Sequence, residues 1–414
     1  TFVEEKGKDT YRFFGETLDY VNAPEHPKQE YFIYKSIILN NLYGVDIMHE
    51  AVEIAKLRLF LKLMATVDVS YEKENLGLEP LPDIDFNIRA GNTLVGYATK
   101  QEFEQMASGK LDFDNDKQAV LDQADLVNRT YQRFKEKQLN ENYESISYKT
   151  AKEKVNRRLD ELNEKLNRYL ALSYLPDNYS EDAYQNWLKT HQPFHWFAEF
   201  YSIIEDQGGF DVIIGNPPYV EYSKVDEYKI KGYLTKKCGN LYAFVLERSS
   251  RILKNKRYLG LIIPLASFYT SRMSPLQDHL NKNGNLIYLS NFEATSNPSV
   301  LFVGVKVQLS ILLWRKHNEN TKSTNAFTTN YIRTYARERK HLFENISYSN
   351  ATNVDGVFLK LFRSLEQSII KKLYTKKKKL GQFAGRSNTK SVFYRNMGNF
   401  FFKLAFLEEP KYYK

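Results

Sequence analysis

The sequence contains a single cysteine, Cys238, among 414 residues. One thiol cannot form an internal disulfide, and it excludes a zinc site built from several cysteines. Disulfide-free chains are typical of reducing compartments, so we expect a cytoplasmic protein. The sequence also lacks an apolar run of about 18 residues and a signal-like start, so neither a membrane span nor export is predicted.

Proline is scarce as well, with 12 residues, whereas hydrophobic residues make up 42% of the chain. This composition is typical of a folded globular protein, and the length is sufficient for two or three domains. Tyrosine and phenylalanine are abundant, with 30 and 27 residues. They predict packed aromatic clusters and possible base-stacking surfaces.

Positive charge is concentrated towards the end of the chain. Residues 331–414 contain 18 Lys and Arg against six Asp and Glu, whereas residues 1–330 contain 41 against 44. A basic segment on a near-neutral body predicts a polyanionic partner, although a solvated lysine-rich surface gives the same pattern.

The most informative stretch is Phe210-Asp-Val-Ile-Ile-Gly, followed by Asn216-Pro217-Pro218-Tyr219. The first part predicts a buried strand, because it is short, rich in Val and Ile and closed by strand breakers. The two prolines have no N–H and a fixed φ, so they stiffen the loop that follows. Such a loop at the carboxyl end of a strand is where open α/β sheets bind ligands; alternatively it is only a rigid strand exit.

Two further segments combine a short strand with a polar residue at its end. The run Asn40–Ile47 has Asp46 at the end of its predicted strand and leads into a predicted helix over residues 50–61. An acid in that position holds ribose hydroxyls in nucleotide-binding folds, or it caps the helix. The run Asp85–Gly96 contains Asn92, whose amide either contacts an adenine edge or satisfies its own turn.

Residues 100–172 have a different character, rich in Lys, Glu, Gln and Asn and without proline. Val155, Leu159, Leu162, Leu166 and Leu170 follow a three- and four-residue spacing. This spacing predicts a long helical hairpin inserted between strands, with its charges on a solvated face.

The remaining sequence predicts the rest of a sheet. An amphipathic helix is expected over residues 240–254, with strands at 258–264, 286–292 and 305–314, the last pair antiparallel or nearly so. His191 and His195 lie four residues apart, but no further metal ligands are identifiable, so we interpret them as structural. Residues 1–36 show no clear periodicity and are interpreted as a loop or partly ordered lead-in.

Basic and aromatic residues alternate near the end of the chain, which favours contact with nucleic acid through phosphate pairing and base stacking. The basic residues in question are Lys371, Lys372, Lys376, Lys377, Lys378 and Lys379.

Taken in order, Gly44-Val45-Asp46, Ala90-Gly-Asn-Thr-Leu94 and Gly215-Asn-Pro-Pro-Tyr219 resemble successive motifs of the amino-type DNA adenine-N6 methyltransferases. The likeness is strongest to the methylase part of large type II restriction–modification proteins. Trp196–Phe200, Asn240–Phe244 and Gly260–Pro264 also look like that family. The resemblance extends over roughly residues 37–316 and implies a Rossmann-like α/β methyltransferase sheet with S-adenosylmethionine as cofactor and double-stranded DNA as partner.

One motif of that family is absent from the sequence, namely the glycine-rich turn that cradles the methionine part of the cofactor. Because Thr1 is not a natural start, we expect a fragment that begins after this turn, so that the sheet is incomplete at its N-terminal end. Such a fragment is expected to bind the cofactor poorly and to be inactive. An endonuclease domain, fused upstream or separate, is implied by the same resemblance.

The resemblance implies a role for each matching residue. Asn216 and the carbonyl of Pro217 would accept hydrogen bonds from the adenine N6 amine, with Pro218 stiffening the loop. Tyr219 would stack on the flipped base, and Phe302 is the candidate for its other face, unless it only packs on the sheet. The cofactor-binding residues implied are Asp46, Ile47, Asn92, Leu94 and Asn216.

The predicted organisation has five parts. They are a lead-in at 1–36, the first part of the methyltransferase at 37–99, a helical insertion at 100–195, the second part with the catalytic loop at 196–320, and the start of a target-recognition region at 321–414. Two alternatives stay open: a methyltransferase of protein glutamine or RNA, and a non-catalytic DNA-binding or specificity module.

Overall fold

The structure is a computed structural model. It describes residues 29–67, 71–72, 81–107, 114–139, 145–293, 302, 307–317, 324–333, 340–344, 346–351, 353–354, 357–358, 368–369 and 372. The chain divides into two compact units, residues 1–360 and 361–414. In the described parts of both units, no helix combines the length and apolarity needed to cross a membrane.

The first half of the chain is mainly helical. Its helices are α1 (Gln29–Asn41), α2 (His49–Met64), α3 (Lys100–Ala107), α4 (Asp114–Leu139), α5 (Ser145–Ala171), α6 (Glu181–His191) and the short α7 (Trp196–Glu199), followed by a π-helical turn at Ser202–Asp206. In the second half follow α8 (Leu241–Ile252), α9 (Ala266–Tyr269) and α10 (Ser274–Asn283), with 3₁₀ turns at Tyr222–Lys224, Leu234–Cys238 and Ser271–Met273.

The strands are β1 (Gly44–Asp46), β2 (Ile88–Ala90), β3 (Phe210–Gly215), β4 (Leu253–Pro264), β5 (Gly284–Phe292), β6 (Leu309–Lys316), β7 (Asn325–Thr328), β8 (Ser349–Asn350), β9 (Asn353–Val354) and β10 (Val357–Phe358). The helix predicted over 240–254 and the strands predicted at 258–264, 286–292 and 305–314 are confirmed, with boundaries shifted by a few residues.

The main sheet has six strands in the order β3-β4-β6-β5-β7-β8. The pairs β3–β4 and β5–β7 are parallel, whereas β6 runs antiparallel between β4 and β5. The carboxyl ends of β3, β4, β5 and β7 therefore meet at one edge. A second, two-stranded sheet consists of β1 and β2 in parallel. Parallel strands joined through helices confirm the predicted α/β class, including the antiparallel last pair.

The predicted helical hairpin is confirmed as α4 and α5, and it shares a hydrophobic core with the rest of the fold. Every apolar residue of the predicted stripe on α5 is buried. These side chains form one cluster with Val95 and Tyr97 after β2, and with Trp196, Phe197 and Phe200 before β3. The hairpin therefore belongs structurally to the segments that carry the motifs.

The two faces of the main sheet differ in how they are covered. One face packs on α8 and α10 through a core that includes Leu246, Leu276 and Trp314. On the opposite face, Val212 and Ile214 of β3 are 62% and 80% exposed. The prediction that Phe210–Ile214 is a buried strand is therefore wrong as to burial. Among the described residues β3 pairs only with β4, and no described element covers this side of it.

The N-terminal prediction also needs correction. Residues 29–36, interpreted as loop or lead-in, belong to helix α1, whose Tyr31, Phe32, Ile38 and Leu39 are buried. The spacing of these four residues is helical. Exposed Ile33 and Ile37 lie between them and hide the pattern in the sequence. Residues 1–28 lie outside the described residues.

Candidate active site

The loop Asn216–Tyr219 leaves the carboxyl end of β3, as its sequence predicts. Asn216 and Pro218 are exposed, Pro217 is buried and Tyr219 is half-buried. The hydroxyl of Tyr219 lies 2.6 Å from the amide oxygen of Asn216 and 2.9 Å from the carbonyl oxygen of Ile262 in β4. The phenol has a single proton, which these two oxygens share, so one bifurcated hydrogen bond closes the loop and attaches it to the neighbouring strand.

The environment of Tyr219 keeps its hydroxyl protonated. Burial raises the pKa of Tyr219 to about 12, so the phenol is a hydrogen-bond donor near neutral pH. Its ring meets Tyr242 of α8 edge-on, with ring centres 6.4 Å apart. On the other side Tyr219 packs in a small cluster around Phe292 and Leu309. Phe302, predicted as the second stacking residue, is half-buried in the same cluster.

Asp46 ends β1, and its carboxylate is exposed. One carboxylate oxygen accepts a hydrogen bond of 2.8 Å from the backbone N–H of Met48 at the start of α2. Asp46 is not the N-cap of α2, which is Met48, and its ribose contact stays a prediction. One oxygen orders the turn into the helix, while the carboxylate still faces solvent at the end of the strand. Ile47 beside it is half-buried.

Asn92 lies at the same end of the small sheet as Asp46, because Gly91 N–H donates to the Asp46 carbonyl at 2.9 Å. The Asn92 side chain is 2% exposed, and its oxygen accepts from Leu94 N–H at 3.1 Å. Its amide nitrogen is buried and has no hydrogen-bond partner among the described residues. Since native proteins seldom leave a buried donor unpaired, this nitrogen is available to an acceptor supplied by a ligand.

The turn after Asn92 is held in place by a buried arginine. Arg248 of α8 is 3% exposed and donates to the carbonyl oxygen of Gly96 at 2.9 Å. Its Nε donates to the Tyr233 hydroxyl at 2.8 Å, and that hydroxyl donates to the carbonyl of Leu94 at 3.0 Å. Position 96 has φ +130°, and a Cβ there would overlap the Phe194 carbonyl, so glycine is required for this close approach.

The charge of Arg248 is compensated across a long stretch of sequence. Its partner is Glu102 of α3 at 3.1 Å, which also pairs with Arg251 at 2.8 Å. Burial alone would lower the pKa of Arg248, but Tyr233 and Glu102 raise it above its ordinary value. The sequence alone does not predict this group. Its one signal is a Glu-Arg pair in the last turns of α8, a helix otherwise rich in apolar residues.

The two histidines are hydrogen-bonded within the protein. His195 is 1% exposed, with its Nε2 3.0 Å from the Asn167 oxygen and its Nδ1 accepting from Tyr97 N–H at 3.2 Å. Burial lowers the pKa of His195 to about 3, so the ring is neutral near pH 7. His191 accepts from the backbone N–H of Lys229 at 3.1 Å. The two histidines therefore attach the loops at Tyr97 and Lys229 to the helical insertion.

The predicted site residues fall into two groups. Asn216, Tyr219 and Phe302 lie at the edge of the main sheet, and Asp46, Ile47 and Asn92 at the end of the small one. Leu94 connects the groups, because it packs with Tyr233 and Leu241 from the segment that follows Tyr219. Of the six predicted lysines, Lys371 and Lys376–Lys379 lie outside the described residues, and only Lys372 lies within them.

Comparison with known proteins gives matches to restriction–modification enzymes. The Eco57I restriction-modification methylase family matches residues 40–297. RM.MjaORFECS2P of Methanocaldococcus jannaschii, named as a type II restriction enzyme and methyltransferase, is 33% identical over 334 residues, covering 70% of this chain and 27% of that protein. RM.Eco57I of Escherichia coli, also named as a type II restriction enzyme and methyltransferase, is 27% identical over 187 residues. The match covers 43% of this chain and 18% of that protein. The chain thus spans about a quarter or less of these curated relatives.

A solved structure, the cryo-electron microscopy structure of a DrdV–DNA complex, matches with a TM-score of 0.30 at 16% identity. The match covers 41% of this chain and 20% of that one. A TM-score this low does not establish a common fold, so the assignment rests on the sequence matches.

Proposed function

The chain belongs to the Eco57I restriction-modification methylase family, and from that premise we propose that it methylates double-stranded DNA at the N6 amine of adenine. The observation that carries the proposal is the position of the Asn216 amide oxygen, exposed at the carboxyl edge of the main sheet. A carbonyl-type oxygen has two lone pairs, so it can accept from Tyr219 and from a base amine together.

The loop around Asn216 suits the task of holding an amine. An adenine N6 donates two hydrogen bonds, and the Asn216 oxygen and the Pro217 carbonyl would accept them. Such contacts orient the nitrogen lone pair away from the loop, towards a methyl donor. Because the backbone is fixed by Pro217 and Pro218, little reorganisation is needed when the amine reacts.

The target base must leave the duplex before its N6 can reach the loop. Tyr219 and Phe302 support this step, since both rings border the same cluster around Phe292 and Leu309. We propose that they contact opposite faces of the flipped adenine. Stacking on an aromatic side chain stabilises an unstacked base by about 1–3 kcal/mol.

The residues at the end of the small sheet fit an adenosyl cofactor in two respects. The unpaired amide nitrogen of Asn92 can donate to an acceptor of an adenine ring, and the exposed Asp46 carboxylate can accept from ribose hydroxyls. We propose S-adenosylmethionine, which supplies an electrophilic methyl group when bound. Ile47 and Leu94 would flank its adenine.

The sequence contains no glycine-rich cradle for the methionine part of the cofactor, so we expect weak cofactor binding by this chain. We place the start of target recognition in residues 321–414, where the lysine excess lies. The names of the two relatives suggest an endonuclease as a fused or separate partner.

A methylation assay tests the proposal directly. The intact protein that contains these residues is incubated with tritiated S-adenosylmethionine and, in parallel, with duplex DNA, RNA or protein, and modified nucleosides are identified by mass spectrometry. We expect N6-methyladenine in duplex DNA and its loss in Asn216→Ala. Label in RNA or in protein glutamine would replace the DNA assignment. Duplex binding without cofactor binding or transfer would instead identify a non-catalytic DNA-binding module.

A further inference from the structure

Directly after Tyr219 the chain forms a closed lobe, residues 222–239. Its two ends are joined by hydrogen bonds of 2.9 Å, from Tyr222 N–H to the Gly239 carbonyl and from Leu241 N–H to the Val220 carbonyl. Glu221 and Asn240 form an antiparallel bridge between them. The base of the lobe is therefore fixed beside the catalytic loop.

The 3₁₀ turn Leu234–Cys238, which we call the tip of the lobe, is also fixed, by a buried carboxylate. Glu247 of α8 is fully buried and accepts from the N–H groups of Leu234 and Thr235 at 3.1 and 2.9 Å. It accepts from the Thr235 hydroxyl as well, at 2.8 Å. Burial opposes ionisation, but these hydrogen bonds and Arg251 hold the pKa of Glu247 below its ordinary value. A charged buried acceptor thus anchors the 3₁₀ turn.

The anchoring determines which side chains point outwards. Thr235 and Cys238 are fully buried, so Leu234, Lys236 and Lys237 remain on the outer side of the turn. Leu234 is 74% exposed, a large value for a leucine. Neither lysine ammonium forms a hydrogen bond or ion pair with any residue in the described part of the chain. A rigid turn therefore presents one apolar and two cationic side chains to solvent.

The acidic groups near this tip are already paired. Glu221 at the base of the lobe binds Arg272, with a nitrogen–oxygen distance of 2.5 Å, and Glu247 binds Arg251. Asp226 and Glu227 are exposed on the lobe, but they belong to the segment between its two 3₁₀ turns. Within the described residues no acidic side chain forms an ion pair with Lys236 or Lys237, which suits a polyanion.

The tip also lies close enough to the catalytic loop to meet the same DNA. Consecutive Cα atoms are about 3.8 Å apart, so the short connections through Gly239 and Tyr222 keep Lys237 within roughly 25 Å of Tyr219. Along the axis of a DNA duplex each strand has one phosphate about every 3.4 Å, so this reach corresponds to about seven nucleotides of axial length.

We propose that the tip of the 222–239 lobe is a DNA contact, with Lys236 and Lys237 on backbone phosphates beside the flipped adenine and Leu234 against the adjoining sugars and bases. This inference rests on the proposed function and adds a docking surface to it. Phosphate contacts position a protein on the duplex without reading its sequence. The lobe therefore sets where the helix lies relative to Asn216, and target recognition stays elsewhere.

The test compares K236Q/K237Q with the matched control K154Q/K189Q, which removes the same charge from exposed lysines on the helical insertion. Affinity for a fluorescent duplex is measured between about 50 and 200 mM salt, because binding through phosphate contacts weakens strongly over this range. We expect the slope of log affinity against log salt to fall by about 1.8 in the first variant, since each phosphate contact contributes about 0.9. The control is expected to match the unsubstituted chain.

A third variant, Leu234→Ala, separates apolar contact from charge, because it should weaken binding at all salt concentrations without changing the slope. Thermal unfolding of each variant excludes a folding defect. If the unsubstituted chain methylates DNA and both lysine variants have equal slopes, the lobe proposal is wrong and the proposed function stands. If the chain neither binds nor methylates a duplex, both are wrong. An effect of K236Q/K237Q on RNA binding but not on duplex DNA also overturns the lobe proposal.

Discussion

The hydroxyl of Tyr219 donates to the amide oxygen of Asn216, three residues earlier, over 2.6 Å. The ring assigned to base stacking and the oxygen assigned to the base amine are therefore in direct contact before any substrate arrives. The hydroxyl holds the amide in one orientation, and the ring takes its position from the carbonyl of Ile262. The two functions proposed for the loop are coupled through this one bond.

Substitution of Tyr219 separates these two functions. Tyr219→Phe keeps the ring and removes the hydrogen bond, so we expect a loss of about 1 kcal/mol in unfolding free energy and a less than tenfold fall in kcat/KM. Tyr219→Ala removes stacking as well, and a fall of about a hundredfold is expected. Steady-state methylation of duplex DNA measures both. Equal activity of the two variants would contradict a stacking role.

Arg248→Met breaks the buried contact between α8 and the turn after Asn92. Because it leaves the Gly96 carbonyl without its donor and removes one of the two arginines that pair with Glu102, we expect a destabilisation of about 3 kcal/mol in urea unfolding. Arg251→Met, in which the side chain replaced is 26% exposed, should have a smaller effect. Cofactor affinity should fall in Arg248→Met more than duplex affinity does. A uniform loss of both would indicate general unfolding instead.

Asp46→Asn tests the proposed ribose contact without disturbing the turn, because an amide oxygen can still accept from Met48 N–H. We expect a loss of about tenfold in affinity for S-adenosylmethionine, or about 1.4 kcal/mol, by isothermal titration calorimetry. Glu50→Gln is the matched control, since Glu50 is an exposed acid in the first turn of α2. An equal loss in both variants would make the effect one of net charge.

The burial of His195 should make the free energy of unfolding fall at acidic pH. Its pKa is about 3 in the folded chain against an ordinary 6.5, so the unfolded state binds the proton more tightly. The stabilisation is complete above pH 6.5 and is lost as the pH falls towards 3, by up to about 1.4 kcal/mol per pH unit. His195→Gln should therefore unfold with a shallower pH dependence in urea titrations from pH 7 to 4. Parallel curves for the two proteins would contradict this account.

The sequence correctly predicts the helix face on α5 and the loop at Asn216, because each is determined by the residues of its own segment. The stripe from Val155 to Leu170 is buried as predicted, because a three- and four-residue spacing defines a helix face wherever the helix packs. The loop at Asn216 was predicted equally well, since Pro217 and Pro218 constrain their own backbone.

The burial of β3 and the contact of Arg248 are not predicted correctly from the sequence, because both depend on residues that are distant in the sequence. Val212 and Ile214 have the composition of a buried strand, but burial depends on which elements cover that face. The pairing of Arg248 with Glu102 joins residues 146 positions apart. Neither residue carries a local sign of the other, so only the folded chain reveals that contact.

The shared core of the hairpin and the motif segments has a consequence for how such enzymes diversify. Leu162 and Leu166 are fully buried in the cluster that also holds Phe197. A recombination event that exchanged residues 114–171 between relatives would bring in side chains shaped for a different partner surface. We therefore expect this hairpin to be inherited together with the segments it packs against, and not to be exchanged between relatives as a separate module.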